Sequence, residues 1–161
     1  MVVLSVILAD IDLTNFTSFA LVKHMKILKQ RYRTDCVPTC IAMITDVSHR
    51  KAMEATHPFH FKGMDWRTDD HEAVHALKRL GWRAKTSLIT LLTKIKRPAL
   101  IMVEGKVSFR ISGTLFDSED HCFAWNPKTR ELIDPSFGIG IDRRSFRAFK
   151  GQVAIEISPR H

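Results

Sequence analysis

From Cys36 to Thr45 the chain reads CVPTCIAMIT, an apolar run that fits a short helix buried on most sides. Asp35, a residue type favoured at helix N-caps, stands just before it. Between Thr68 and Leu80 the pattern becomes a single stripe, Ala73, Val74, Leu77 and Leu80, on an otherwise polar helix; Asp69 or Asp70 would cap it and Gly81 close it. Ser87 to Lys96 is a third helical stretch, ended by Pro98. Beyond Pro98 the period shortens: Ala99–Val103 and His121–Trp125 read as buried strands. A turn at Asn126, Pro127 and Lys128 leads to a hairpin mate at Glu131–Ile133, and Val153–Ile157 forms a last strand. Helices first and antiparallel strands second predict a segregated α+β domain.

With 161 residues, 45% of them hydrophobic and 26% charged, the chain suits one compact core and excludes extended disorder. No repeat or low-complexity tract divides it. The three cysteines, Cys36, Cys40 and Cys122, are an odd number in a domain of ordinary size, so a reducing compartment fits better than a disulfide-stapled secreted fold. The expected location is cytoplasmic, or inside a host or target cell to which the protein is delivered. The opening apolar run, Met1 to Ala9, lacks a basic start and a cleavage site, is interrupted by Asp10 and Asp12, and is too short to span a bilayer. Residues 1–24 are therefore expected to be an extension of uncertain role, an added strand or the product of an upstream start codon, ahead of a domain covering 25–161. A net charge of +8 would suit nucleic acid. The basic residues, however, form only two small clusters, Lys94, Lys96 and Arg97, then Arg143, Arg144 and Arg147, without repeated aromatic interleaving. A solvated basic face is favoured over a nucleic-acid interface.

A catalytic cysteine has to be ionised near neutral pH, which a helix N-terminus favours, and needs an imidazole, a group to orient it and donors for an oxyanion. Cys36 is placed at such a helix start. Gln30 lies six residues upstream, within reach to join the Cys36 backbone N–H in an oxyanion hole. His121 opens a predicted strand and Asp134 ends its expected hairpin partner, so the carboxylate should meet the ring. Each residue also has a plainer role: Cys36 and Cys40 as core, His121 as a strand histidine, and Asp134 before Pro135 as a turn pair.

The segment QRYRTDCVPTCIAMI, from Gln30 to Ile44, resembles the active-site segment of papain-like cysteine peptidases of the bacteriocin-leader-processing (double-glycine) type. RPALIMV at Arg97–Val103, HCFAW at His121–Trp125 and LIDPS at Leu132–Ser136 resemble that family too, in its order. The resemblance covers roughly residues 25–157 and implies a papain-like fold: a helical half carrying Cys36 and an antiparallel sheet carrying His121 and Asp134. It implies Cys36 as nucleophile, His121 as general base, Asp134 as its orienter, Gln30 as oxyanion donor, and no catalytic role for Cys40. One departure is Val37, where the family has glycine; a β-branched residue before Pro38 is biased toward extended geometry, which would tilt the helix start or narrow the cleft.

The expected activity is a thiol hydrolase that cleaves peptide or isopeptide bonds through an acyl-thioester, acting on a peptide or protein and needing no metal or organic cofactor. The family's best-known members are joined to membrane transporters; with no spanning segment in the sequence, a stand-alone processing peptidase or effector is expected. The oligomeric state is not readable. Three alternatives stand beside this reading: a catalytically degenerate domain that binds a partner, a basic nucleic-acid-binding domain, and a zinc hydrolase built on His71, Glu72 and His75. Those three spell H-E-x-x-H, but they lie at a helix start and Glu104, the next glutamate, falls beyond a predicted strand. His57 and His60 fall in a loop that would overhang the cleft, Trp66, Trp82 and Trp125 are core or rim aromatics, and strand alternation should turn Cys122 away from His121.

Overall fold

The protein was analysed as a computed structural model that describes residues 25–57, 68–89, 91–148 and 152–160. The extension 1–24, His60 and Trp66 lie outside the described residues. Among the described residues three helices come first: α1 (Cys36–Thr45), α2 (His49–Thr56) and α3 (Asp70–Arg79). Six strands follow: β1 (Trp82–Leu88), β2 (Ala99–Ile111), β3 (Thr114–Asn126), β4 (Glu131–Asp134), β5 (Ile139–Ala148) and β6 (Gln152–Pro159). All pair antiparallel in the order β1-β6-β2-β3-β4-β5, so the described chain is an α+β fold with its helices segregated from its sheet.

The sheet curls until β5, at one end of the order, returns to pair with the far half of β2, Val107 with Ala148 and Arg110 with Asp142. Strand alternation then divides the apolar residues between two cores. Leu100, Cys122, Ala124, Ile133 and Ile155 pack outward against α1 and its companions, around Ile41, Met43 and Leu77. Ile101, Phe109, Phe123, Trp125, Leu132 and Phe146 fill the inside of the curl. Phe123 meets Phe109 and Phe146 edge to face at 5.3 and 5.4 Å.

Several elements differ from expectation. Ser87–Lys96 is not a helix: β1 runs through Leu88 in register with β6, and only Leu92–Lys94 forms a turn of 3-10 helix. Thr86, Ser87, Ile89 and Thr93 are weak helix formers, and the open edge of β6 outcompetes their helical pattern. Helix α2 was not anticipated, although Ser48 accepts from the Lys51 N–H as an ordinary N-cap. Strands β2 and β3 are each far longer than expected, because Ser112 and Gly113, both at positive φ (48° and 86°), make the two-residue hairpin turn that suits right-twisted strands. His121 accordingly lies well inside β3 instead of opening a strand.

Candidate active site

Cys36 is the first residue of α1. Asp35 occupies the N-cap position but does not cap with its side chain; the helix's opening backbone bond runs from Thr39 N–H to the Asp35 carbonyl. Pro38 has no N–H to satisfy, so the uncapped donors of the first turn reduce to those of Cys36 and Val37. Val37 is helical and buried in the outer core, against its expected extended bias: nine of the ten α1 residues are buried, and that packing overrides the local preference of a residue before proline.

The Asp35 carboxylate turns back instead. It accepts from the Arg31 and Tyr32 backbone N–H groups at 3.1 and 3.2 Å and meets His49 Nε2 of α2 at 2.9 Å, fully buried. Three contacts from one carboxylate thus fold residues 30–35 into a fixed loop before α1. Gln30, on that loop, donates its backbone N–H to the Pro135 carbonyl at 2.7 Å. Its side-chain Nε2 lies 3.4 Å from the Arg33 carbonyl, while Oε1 is buried without a partner. Gly138, at φ +62°, lies so close under this segment that an added Cβ would stand 3.3 Å from the Leu28 carbonyl oxygen and the Lys29 Cβ.

His121 pairs with Val103 across β2, just before a bulge at Glu104 and Gly105 where the register shifts. Asp120, at φ 46°, accepts from the Gly105 N–H at 2.7 Å and holds that irregularity. Bulges re-aim neighbouring side chains, and this one adjoins the histidine. Ala124 pairs with Ile133; continued one step, that register sets Asp134 across from Phe123, diagonal to His121. His121 Nε2 and Asp134 Oδ2 are 3.3 Å apart, with only 7% and 1% of the two side chains exposed. That is an ion-pair separation; the ring N–H is not aligned on the oxygen, and neither atom has another hydrogen-bond partner. The other Asp134 oxygen accepts from the Ser136 N–H at 2.6 Å, which locks the carboxylate in its turn. Phe123 stands edge-on to the imidazole at 4.7 Å.

Burial alone would lower the His121 pKa, but the Asp134 carboxylate and the Cys36 sulfur outweigh it and push it up to about 9. Cys40 differs: burial, reinforced by Cys122, raises its thiol well above the usual range, and it donates toward the Cys122 carbonyl at 3.6 Å. It is a core residue. Cys122 faces the outer core with Cys40, while Phe123 faces the inner one.

Gln30, Cys36 and His121 line one cleft of 1040 Å³ between the start of α1, the start of α3 and the β2–β3 wall. Asp134 sits behind it, touching the ring. Of the other residues weighed from sequence, His57 bonds the Thr68 hydroxyl at 2.8 Å and Trp125 is core, its indole N–H on the Ile95 carbonyl at 3.2 Å. His71 and His75 are exposed, and Glu72 is engaged in a capping box with Asp69, accepting its N–H at 3.2 Å. Among the described residues no three His, Cys, Asp or Glu side chains group to hold a metal. Arg97 leaves its expected cluster to join Lys78, Arg83, Lys85 and Arg160 around a shallow groove of 370 Å³.

Sequence reasoning missed two sets of residues at the cleft. Asp35 with His49 was hidden because no spacing rule joins a loop to the next helix. The carboxylates of the bulge and its hairpin could have been found, since Ser112-Gly113 between alternating runs is a turn signature that brings Glu104 opposite the acidic stretch before His121.

No protein-family model and no curated protein matches the chain. Among solved structures, the peptidase domain of Streptococcus ComA, described as a bi-functional ABC transporter involved in a quorum-sensing pathway, is similar with a TM-score of 0.56 at 17% identity; the match covers 85% of this chain and 100% of that one. At that identity the likeness is one of fold, so this chain has an α+β fold similar to that of a peptidase domain.

Proposed function

We propose that the protein is a papain-like cysteine peptidase of the leader-processing type, with Cys36 as nucleophile, His121 as acid and base, Asp134 as the residue that orients and charges the ring, and Gln30 as an oxyanion donor. The observation that carries this reading is the buried His121–Asp134 pair, whose imidazole holds its proton up to about pH 9 beside the sulfur at the start of α1. The shared fold with a peptidase domain and the sequence resemblance support it independently.

In this mechanism the Cys36 thiolate forms a C–S bond to a peptide or isopeptide carbonyl. The uncapped Cys36 N–H and the Gln30 amide receive the oxyanion. With Asp134 on Nε2, the other ring nitrogen serves the sulfur, and the imidazolium gives its proton to the departing amine as the C–N bond breaks. Water, deprotonated by the neutral ring, then displaces the thiolate from the acyl-thioester and releases the acid. An amine in place of water would make the same intermediate a transfer reaction.

Mass-mapped labelling by iodoacetamide is the test. At pH 6.5–7.5 Cys36 should be alkylated in preference to Cys40 and Cys122, about tenfold or more slowly in His121→Ala. Equal labelling of the two proteins would overturn the assignment. Labelling without hydrolysis of any peptide in a broad library would instead favour the degenerate partner-binding reading, to which Val37 is the only pointer. The groove of Lys78, Arg83, Lys85, Arg97 and Arg160 favours a separate polyanion site; steeply salt-dependent nucleic-acid binding, abolished by Arg83→Glu with Arg97→Glu and indifferent to Cys36→Ala, would establish it.

A further inference from the structure

The molecule carries a net charge of +8, yet the walls of its cleft are acidic. Among the described residues, Asp69 and Asp70 face it from the start of α3, and Glu104, Asp117, Glu119 and Asp120 from the β2–β3 hairpin, against Arg33, Lys106 and the His121 imidazolium. Lys106 is already matched by Asp117 at 3.3 Å. Asp69 and Asp120 accept from backbone N–H groups, and the positive end of α3 offsets about half a charge. The side chains of Glu104, Glu119 and Asp70 make no ion pair or hydrogen bond within the described structure, so they are available to a ligand. In a chain with more Lys and Arg than Asp and Glu, this segregation of sign is opposite to what a random surface would give.

The same cleft has groups that call for an occupant. Gln30 lines it with a buried, unpartnered Oε1, and the buried His121 ring gives onto it from its floor, its Nε2 turned back to Asp134. Val37, Met102, Val153 and the 85% exposed Leu88 add apolar surface. Converging carboxylates over a low-dielectric floor focus the field and raise the local concentration of cations.

Resting on the assignment of Cys36 and His121 above, we infer that the cleft selects a cationic polypeptide segment, with lysine or arginine side chains near the bond cleaved held by Glu104, Glu119 and Asp70 and an apolar residue between them. The basic exterior would keep such a segment off the rest of the surface and leave the cleft as its one attractive landing place.

Charged thiol reagents test the field without knowledge of the substrate. At low ionic strength, Cys36 should react faster with the cationic aminoethyl methanethiosulfonate than with the anionic sulfonatoethyl reagent. That ratio should fall about fivefold or more in Glu104→Gln/Glu119→Gln/Asp70→Asn, and should fall in wild type as salt is raised toward 0.5 M, well past the screening length of the cleft. A lysine-rich fluorescent peptide should bind Cys36→Ser about tenfold more tightly than a glutamate-rich one of equal length. A ratio unchanged by the triple substitution, or a preference for the glutamate-rich peptide, would overturn the inference. Neutral iodoacetamide keeps the two claims apart: its rate should fall on His121→Ala in wild type and in the triple variant alike, and absence of that fall sinks the thiol assignment, and the inference with it.

Discussion

The imidazole of His121 titrates in an unusual place because of two neighbours of opposite sign. Its folded pKa, about 9, lies above the ordinary 6.5. The pair therefore contributes stability that is fully present below about pH 6.5 and is lost as pH climbs through about 9. Denaturant melts at pH 6, 7.5 and 9 should show the gap between wild type and His121→Gln shrinking along that series; a constant gap would mean that the ring is neutral throughout. Asp134→Asn keeps an acceptor for the Ser136 N–H but removes the charge. It should leave the fold in place and lower peptidase turnover by about a hundredfold or more, since general acid–base catalysis by a wrongly held ring loses most of its effect. Much of this pairing was legible beforehand. The order Cys36, His121, Asp134 and the short hairpin between the last two could be read, whereas the diagonal register and the edge-on Phe123 depend on a curl that no local pattern encodes.

At the level of elements, the site hangs on the loop before α1. Asp35→Ala would remove the buried carboxylate that the Arg31 and Tyr32 N–H groups and the half-buried His49 ring share, a loss of about 3 kcal/mol. Thermal or denaturant unfolding measures it directly, and Asp35→Asn should recover part of the loss by accepting from the same N–H groups. On the far side of the loop, Gly138→Ala forces a side chain into the left-handed region and against Leu28 and Lys29. The expected cost is about 1–2 kcal/mol, with Cys36 labelling little changed and turnover reduced, because it is Gln30 that is displaced. Why α2 and the Asp35 contacts escaped the sequence is physical: α2 is short and nearly all polar on one side, and a capping aspartate and one that turns backward look alike in one dimension.

At the scale of the whole molecule, two cores of described residues meet at β3, the strand that carries His121. β3 sends Cys122 and Ala124 toward the helices and Phe123 and Trp125 into the curl. Phe123→Ala should therefore cost about 3–5 kcal/mol, in the range of large-to-small changes in a closed core, and should also loosen the ring that rests on it. A joint drop in melting temperature and in His121-dependent labelling would show that coupling; a drop in stability alone would separate the inner core from the chemistry. The α+β layout was readable from the switch of period at Pro98, but the curl was not, because the β2–β5 pairing joins residues that sequence neighbours do not specify.

β6 follows every other described element along the chain, yet it lies between β1 and β2. A ribosome delivering this polypeptide releases α1 well before the strand that bridges the sheet's two sides. The half-made chain can form its helices and its long hairpin, but among the described strands β1 has no partner until residues 152–159 emerge. The cleft proposed around Cys36 and His121 should thus take its shape only after residue 159 has emerged, and until β6 slots home its two walls are not yet held to one another.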